Sequence, residues 1–269
     1  YDHWIRARAG AAIRKVRASL DDYRFNEVAS EIYAFTWHEL CDWYLELSKG
    51  TLYNDASPEA QQGARHTLLE VFTALIRLMH PIMPFLTEEI WQRLQPFGTE
   101  GTICRAAYPK DDEFPEDDEA LAEVALVQEA ISAIRRIRSE MELSPRAPFS
   151  IRAADTTLLN KHAQALKDLA GIHEIITGGR EGICATAVVA GRQLFIPLEG
   201  VIDIDAERAR LDNQIEKSEK NVTALERRLS SPRYVERAPD HVVQESRDKL
   251  AAAKNRVEKL CAARKNLDA

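Results

Sequence analysis

Two heptad-patterned segments in the last third of the chain constrain its fold more than any other feature. In the first segment, apolar and small residues recur at spacings of four and three: Leu211, Ile215, Ser218, Val222, Leu225 and Leu229. The second segment keeps the same rhythm, interrupted once by Arg264: Val243, Ser246, Leu250, Ala253, Val257, Leu260 and Leu267. Residues that recur about every 3.5 positions keep one seam of a helix turned toward a partner helix. The pattern therefore predicts two helices packed along a shared seam.

The stretch that joins these segments, residues 230–239, is too short for anything but a reversal of the chain. Pro232 ends the first helix, and Pro239 suits the first turn of the second, where no backbone N–H is needed. Each helix has about 26 residues, which gives an arm on the order of 39 Å long. We predict an antiparallel two-helix coiled-coil arm over residues 201–269, with no room for an active site.

The rest of the chain is predicted to be mainly α-helical, with one small mixed unit. Apolar residues recur at helical spacing over residues 4–20, 24–47, 59–79 and 119–142, and another helix begins near Pro84. Residues 146–200 show strand-like alternation around one helix, and the last two strands are predicted to form a hairpin that turns at Ala190-Gly191-Arg192. The fold class is therefore mainly α, in three parts: a helical bundle over residues 1–145, a small α/β connector over 146–200 and the arm over 201–269.

Composition excludes several classes of protein. The net charge is −7, from 36 Lys+Arg and 43 Asp+Glu, so the chain is not basic throughout, although residues 201–269 hold slightly more basic than acidic residues. Four scattered cysteines without a C-x-x-C pair argue against a zinc site or a disulfide framework, and reduced thiols are typical of the cytoplasm. No apolar run is long enough to span a membrane. The start lacks an initiator Met and a signal-peptide pattern, so we expect that the chain begins mid-protein or was cut there.

Basic residues of the arm are candidates for binding phosphates. With Leu211 at position d, Arg210 and Lys217 fall at c, and Lys220 and Arg227 at f, so all four are expected on one outer face. Four more cations flank the seam or lie at the tip: Arg247, Lys254, Arg233 and Arg237. Lysine and arginine rows of this kind follow nucleic-acid backbones. The alternative is a solvated surface with pairs such as Glu216–Lys220.

The bundle offers a second basic surface and no catalytic constellation. Its cations lie on the first helix and just after it: Arg6, Arg8, Arg14, Arg17 and Arg24. The glycine-rich stretch 178–182 lacks the Lys-Ser/Thr of a phosphate-binding loop. His80 is interpreted as capping a helix end, and Glu88 and Glu89 as first-turn charges.

Three neighbouring aromatic residues, Trp37, Trp43 and Tyr44, invite two interpretations. They could stack on nucleic-acid bases, but their helical spacing among Phe and Leu residues favours core packing. Trp43 shares a helical face with Phe35 and Leu47, so we expect it in the core.

Several motifs resemble the C-terminal region of valyl-tRNA synthetases, and they occur in that family's order. The stretches 24–46 and 80–91, the latter reading His-Pro-Ile-Met-Pro-Phe-Leu-Thr-Glu-Glu-Ile-Trp, resemble its anticodon-binding bundle. Residues 198–208 are similar to the entry into its coiled-coil arm, and 231–235 with 238–239 are similar to the tip. The resemblance covers nearly the whole chain.

The resemblance implies a part of an ATP-dependent class I ligase that charges valine tRNA. In that family the bundle reads the anticodon and the arm contacts the outer corner of the tRNA. The class I catalytic motifs and the editing domain are absent here, and the family's bundle usually begins with one further helix. The resemblance thus implies ATP and magnesium for the whole enzyme, no cofactor or catalytic residue in this region, and no activity of this region alone.

The partners expected on this basis are tRNA specific for valine, with no DNA and no membrane, and we expect a monomeric cytoplasmic protein. Two other interpretations remain open. One is a non-enzymatic adaptor whose hairpin binds another protein, and the other is the same region of a different class I synthetase, such as the isoleucyl enzyme. Salt dependence separates the first of these from a tRNA-binding protein.

Overall fold

A computed structural model describes residues 1–53, 56–141, 149–201, 203–231 and 239–267. The chain divides into two compact units, Tyr1–Gln128 and Glu129–Ala269. The structure confirms the mainly α fold with a small four-stranded sheet. The division into three domains at residues 145 and 200 stays a prediction. In the described part of the chain, no helix is both long and apolar enough to cross a membrane.

The first unit is built from helices that follow the apolar periodicity of the sequence. Their bounds are α1 Asp2–Asp21, α2 Phe25–Ala34, a π-helical segment Phe35–Tyr44, α3 Leu45–Tyr53, α4 Pro58–Met79, α5 Pro84–Arg93 and the start of α6 Asp118–Glu140. Ser57 caps α4 by accepting a hydrogen bond from the N–H of Ala60 at 3.2 Å. Pro58 and Pro84 occupy first-turn positions of their helices, and α5 begins at Pro84, where the sequence predicts a helix start.

The π-helical segment interrupts what the sequence predicts to be a single α-helix over residues 24–47. Buried residues before it keep α-helical spacing, but the next step of the buried face, from Phe35 to Leu40, is five residues. Five residues in an α-helix would turn Leu40 away from the core, whereas i→i+5 hydrogen bonding brings it back. The wider period keeps both Leu40 and Tyr44 buried.

The core of the first unit lies between α1 and its neighbours. Ile5, Val16, Tyr44 and Val71 are fully buried. Gly10 of α1 allows a close approach of the chain, because a Cβ atom there would lie 3.0 Å from the carbonyl oxygen of Phe114. Helix α1 contacts α2, the π-helical segment and α4.

The second unit combines the end of α6 with a sheet and the arm. Its elements are β1 Phe149–Ala153, α7 Thr157–Lys161, α8 Ala163–Ala170, β2 Ile172–Thr177, β3 Cys184–Val189, β4 Arg192–Pro197, α9 Ile204–Leu229 and α10 Asp240–Asn266. The strand order is β2-β1-β4-β3; β1 pairs parallel with β2 through the α7–α8 crossover, and the β3–β4 hairpin is antiparallel. Ala190 and Gly191 both have positive φ, which gives the hairpin the tight turn that the sequence predicts.

Candidate nucleic-acid interface

The seam of the arm lies where the heptad pattern predicts it. Leu211, Val243, Ser246, Ala253 and Leu267 are buried, and the remaining a and d residues of both helices are half-buried. Toward the tip, almost all residues outside the a and d positions are exposed. Ser246 satisfies its hydroxyl within its own helix by donating to the carbonyl of Val242 at 3.0 Å. The prediction of two helices packed along one seam is confirmed.

Polar contacts between α9 and α10 fix their register. Lys254 Nζ lies 2.7 Å from a carboxylate oxygen of Glu226. Toward the base, Arg264 Nε lies 2.9 Å from Asp212, and Arg208 donates to the carbonyl of Leu267 at 2.6 Å. Lys254, which we predicted as a phosphate-binding residue, thus also ties the two helices together, although about half of its side chain stays exposed.

Arg210 does not share an exposed row with the other three cations of α9. Its guanidinium donates to both carboxylate oxygens of Glu207 at 2.6 Å and to the carbonyl of Glu140 at 3.0 Å. Glu207 itself is buried. The heptad pattern specifies only the face toward the partner helix, whereas Arg210 also contacts the last residue of α6. Arg210 is therefore half-buried.

The other three cations of that row, Lys217, Lys220 and Arg227, are exposed as predicted. Lys220 lies 2.5 Å from Glu216 one turn earlier, and its hydrogen bond lowers the pKa of that carboxyl. Exposed i,i+4 pairs of this kind contribute only about 0.3–0.5 kcal/mol, so a phosphate can displace the carboxylate at little cost. Within the described parts of the arm, Lys217 and Arg227 take part in no ion pair.

The second arm helix adds further exposed cations. Arg247 is exposed as predicted, and so are Arg256 and Lys259. Lys259 was missed in the sequence analysis, yet it falls at position c of α10, the equivalent of Lys217 on α9. Arg233 and Arg237, predicted at the tip, lie outside the described residues.

The arginines of α1 are engaged with partners in their own unit. Arg8 forms a two-pronged contact with Glu39, in which Nε lies 2.5 Å from Oε2 and Nη2 contacts Oε1. This hydrogen bonding raises the pKa of Arg8. Arg6 lies 3.2 Å from Glu70, and Arg14 lies 2.8 Å from Glu116. These three cations are thus neutralised locally.

Arg17 and Arg24 lie away from the first two arginines of the helix. Arg17 donates to the carbonyl of Pro109 at 3.0 Å, and Arg24 pairs with Asp22 at 2.9 Å and with Glu27. Arg6 and Arg17 are separated by 11 residues of α1, roughly 17 Å along its axis. The five predicted residues therefore do not converge on one site, and their role in anticodon binding stays a prediction.

The three aromatic residues have three different environments. Tyr44 is fully buried and donates its hydroxyl to Asp2 at 2.9 Å, and burial raises its pKa. Trp43 is half-buried beside Arg8 in a cavity that also contains Trp4. Trp37 is 53% exposed, so the core interpretation is wrong for this residue.

His80 and Glu88 hold the α4–α5 junction together. His80 is the C-cap residue of α4, as interpreted, and its backbone N–H donates to the carbonyl of Arg77, whereas its ring Nδ1 lies 2.7 Å from the hydroxyl of Thr87. Glu88 accepts hydrogen bonds from the Thr102 hydroxyl at 2.7 Å and the Ile103 N–H at 3.0 Å. Among the described residues, no group of His, Cys, Asp and Glu is arranged to hold a metal ion.

Comparison with known proteins agrees with both halves of the chain. Residues 2–154 match the family described as the anticodon-binding domain of tRNA ligase, and residues 203–268 match the tRNA binding arm of valyl tRNA synthetase. The chain is 37% identical over 268 residues to the valine–tRNA ligase of Syntrophotalea carbinolica, and the match covers 95% of this chain but 29% of that ligase. The resemblance predicted from the sequence is confirmed, for a chain that spans under a third of this relative's length.

Proposed function

Because the chain belongs to the family of anticodon-binding domains of tRNA ligases, we propose that it is the tRNA-binding region of a valine–tRNA ligase. The observation that carries this proposal is the succession of two tRNA-binding modules in one chain, the bundle at 2–154 and the arm at 203–268. The exposed cations of the arm support it, because phosphate contacts need accessible positive charge.

The arm supplies affinity that does not depend on tRNA sequence. Lys217, Lys220 and Arg227 lie on the outer side of α9 at spacings of three and seven residues, so they form a line along the helix. Side chains in such a line contact successive phosphates of an RNA backbone and leave the bases unread. Arg247 and Lys254 extend this charge onto α10, while Arg210 serves mainly to anchor the base of the arm.

The bundle supplies discrimination among tRNAs. Anticodon bases are unpaired, so side chains can reach their edges and faces, which is not possible inside an A-form stem. Arg6 and Arg8 point to different sides of α1, toward Glu70 and Glu39, so they are separate candidates for contacts with the anticodon, and Arg14 is a third. Arg14 is the most easily released of the three, because its partner Glu116 is largely exposed.

The whole enzyme would join valine to its tRNA with ATP and magnesium in the cytoplasm, with the catalytic residues outside this region. No step of that chemistry involves a residue of this chain. The region therefore acts by binding and positioning tRNA, as a monomer, and has no aminoacylation activity by itself.

Filter binding of valine tRNA and a non-cognate tRNA at two salt concentrations tests the proposal. Both complexes should weaken steeply between about 50 and 200 mM salt, because counterions are released on binding. Valine tRNA should bind more tightly at each concentration. An affinity that does not change with salt concentration would instead favour a protein partner for the arm. Equal affinity for all tRNAs would exclude recognition of valine tRNA by the bundle.

Removing the arm at residue 200 separates the two contributions. The truncated chain should keep its preference for valine tRNA and lose most of its affinity. An isolated arm that discriminates among tRNAs would reverse this assignment.

A further inference from the structure

One cysteine of the bundle lies against a histidine. The ring Nε2 of His80, at the end of α4, is 3.3 Å from the Sγ atom of Cys104, which lies 24 residues further along the chain. Cys104 is exposed, so small solutes can reach its thiol. A nucleophile and a base within hydrogen-bond reach, with the base oriented by a third group, is the arrangement that activates a thiol.

The third group is Thr87, which determines the nitrogen of the His80 ring that carries a proton. The Thr87 hydroxyl lies 2.7 Å from Nδ1 of His80, and it donates to the carbonyls of Met83 and Pro84 at 2.9 and 3.2 Å. A threonine hydroxyl has a single hydrogen to donate, so it accepts the hydrogen bond from Nδ1–H. In the neutral ring, Nε2 is then the unprotonated nitrogen, and it can accept the proton of the Cys104 thiol.

The position of Cys104 is fixed by the short 3₁₀ turn Ile103–Arg105 that carries it. Ile103 is buried in a cluster with residues of α4 and α5. Glu88 of α5 accepts hydrogen bonds from the hydroxyl of Thr102 at 2.7 Å and from the N–H of Ile103 at 3.0 Å. The turn is therefore held on the same helix junction that carries the histidine, and this keeps the sulfur and the ring in contact.

A carboxylate near the ring favours the charged pair that proton transfer creates. The pKa of Glu88 is lowered, mainly by its hydrogen bonds with Gln92 and Thr102 and to a smaller extent by His80. Glu88 is therefore ionised at neutral pH, and its negative charge stabilises the imidazolium of His80. A thiolate beside an imidazolium is the reactive form of a cysteine, whereas a free thiol is only a few per cent ionised at about pH 7.

We propose that Cys104 is a peroxide-reactive thiol whose proton is taken by His80. The thiolate sulfur attacks one oxygen of hydrogen peroxide, so that an S–O bond forms and the O–O bond breaks. The proton held on Nε2 of His80 passes to the departing hydroxide, which leaves as water. The sulfur is thereby oxidised to a sulfenic acid and the peroxide is reduced. This step needs no tRNA, so the inference stands independently of the proposed function.

A low-molecular-weight thiol such as glutathione makes the modification reversible. Its sulfur displaces the hydroxyl of the sulfenic acid, which leaves as water, and a mixed disulfide forms. A second molecule of the thiol then restores Cys104 and forms the oxidised dimer of the thiol. Either modification adds a group to a sulfur that lies 3.3 Å from His80, so oxidation separates the 3₁₀ turn from the histidine.

Trapping of the sulfenic acid tests the inference in the 269-residue chain. The reduced protein is treated with hydrogen peroxide in the presence of dimedone, and mass spectrometry of its peptides measures how fast each cysteine is labelled. Cys104 should be labelled roughly tenfold faster than Cys261. Cys261 is the matched control, because it is also exposed and, within the described part of the arm, no hydrogen bond joins it to a histidine. Equal rates at the two cysteines would overturn the inference.

The variant His80→Asn removes the base and keeps a donor for Thr87. The amide nitrogen of asparagine can replace Nδ1 as that donor, but the side chain is too short to replace Nε2 beside Cys104. Labelling of Cys104 should fall about tenfold, to the rate of Cys261, and the rate of Cys261 itself should stay the same. If Cys104 were labelled as fast in the variant as in the wild type, His80 would not be the base and the inference would be overturned.

Circular dichroism shows whether His80→Asn stays folded under the conditions of labelling. If it does not, the ratio of the Cys104 and Cys261 rates in the wild type decides. The same ratio is measured with iodoacetamide, which reacts with the thiolate without oxidising it, and it should again be about ten. Fast alkylation of Cys104 together with slow oxidation would overturn the assignment to peroxide, and a ratio near one with both reagents would overturn the activation of Cys104.

Discussion

Helix α1 of the bundle and helix α9 of the arm both carry a series of basic side chains, but these have different partners. On α1, Arg6, Arg8 and Arg14 each pair with a carboxylate from another part of the first unit. On α9, Lys217 and Arg227 are exposed, and the pair of Lys220 is a local one on the same helix. A helix inside a bundle meets neighbours on several sides, whereas a helix in a two-helix arm meets one. Similar patterns of basic residues thus form ion pairs between elements in the bundle and remain accessible to solvent in the arm.

The largest effect should come from neutralising the accessible charge of the arm. Replacing Lys217, Lys220 and Arg227 with Gln should lower the affinity for valine and non-cognate tRNA alike, roughly tenfold or more at low salt, and should reduce the salt slope by about 3. The melting temperature should stay nearly unchanged, because all three side chains are exposed. Filter binding over a salt series measures the effect.

The matched control for this triple variant is Arg6→Gln with Arg14→Gln, which removes cations of the bundle. If this variant lost as much affinity for non-cognate tRNA as the arm variant, the two regions would not differ in accessible charge. The carboxylate-paired arginines of the bundle would then be as available to phosphate as the exposed cations of the arm.

Substituting Trp43 tests whether the side chains near Arg8 stabilise the bundle by packing or contact tRNA. Because Trp43 is half-buried, Trp43→Ala should lower the free energy of unfolding by about 2 kcal/mol, below the 3–5 kcal/mol typical of fully buried large aromatics. Trp37→Ala, at an exposed position of the same segment, should change it by less than about 0.5 kcal/mol. Chemical denaturation compares the two. A stable Trp43→Ala protein that lost only tRNA binding would assign this side chain to the interface.

Arg8 tests the role of the paired cations directly. Arg8→Gln leaves Glu39 without its two-pronged partner, and it should cost about 1–2 kcal/mol of stability, between the values for exposed and buried pairs. Adding Glu39→Gln should recover part of that loss, which a double-mutant cycle measures. If Arg8→Gln were as stable as the wild type and bound valine tRNA more weakly, Arg8 would belong with the arm cations.

The smallest effect concerns acid sensitivity of the first unit. Burial of Glu113 opposes ionisation, but its hydrogen bonds with Arg77 outweigh this and hold its pKa below the usual range. A lowered folded-state pKa stabilises the protein above the carboxyl's ordinary pKa, and this stability is lost as the pH falls through the lowered value. At neutral pH, Glu113→Gln should therefore be less stable than the wild type by no more than about 1 kcal/mol. As the pH falls, the variant should lose less stability than the wild type, so the two melting temperatures should converge. Thermal melts at pH 7 and pH 3 measure this, and a difference in melting temperature that stays constant would contradict it.

The elements that the sequence predicts well are those whose determinants are local. The arm seam arises from a repeat within each helix, and the β3–β4 turn arises from Ala190-Gly191 at a two-residue connection. The partners of the bundle arginines could not be predicted in this way. Glu39 lies 31 residues from Arg8, and Glu70 lies 64 residues from Arg6, so only the packed structure brings them together.

The candidate site shows the same limit. A heptad assigns Arg210 to the outer face of α9, but it carries no information about the contacts of Arg210 with Glu207 and with the carbonyl of Glu140. Likewise, the apolar run at 82–86 has the composition of a core, and its exposure depends on which helices surround it. The period of a helix identifies the face that packs against one neighbouring helix, whereas the burial of a side chain depends on all the elements around it.

The π-helical segment Phe35–Tyr44 has a consequence for how this chain tolerates changes in length. An α-helix turns about 100° per residue, so a residue added to or removed from α3 would rotate everything beyond it away from its contacts. The widened segment holds one residue more than a regular helix needs, and the exposed His38 lies on its outer side. Deleting His38 would draw the segment toward regular α-helical geometry, so a loss in length at this point could be absorbed locally. The continuous helix formed by α2, the π-helical segment and α3 can therefore lose one residue here while α3 keeps the same face toward its neighbours.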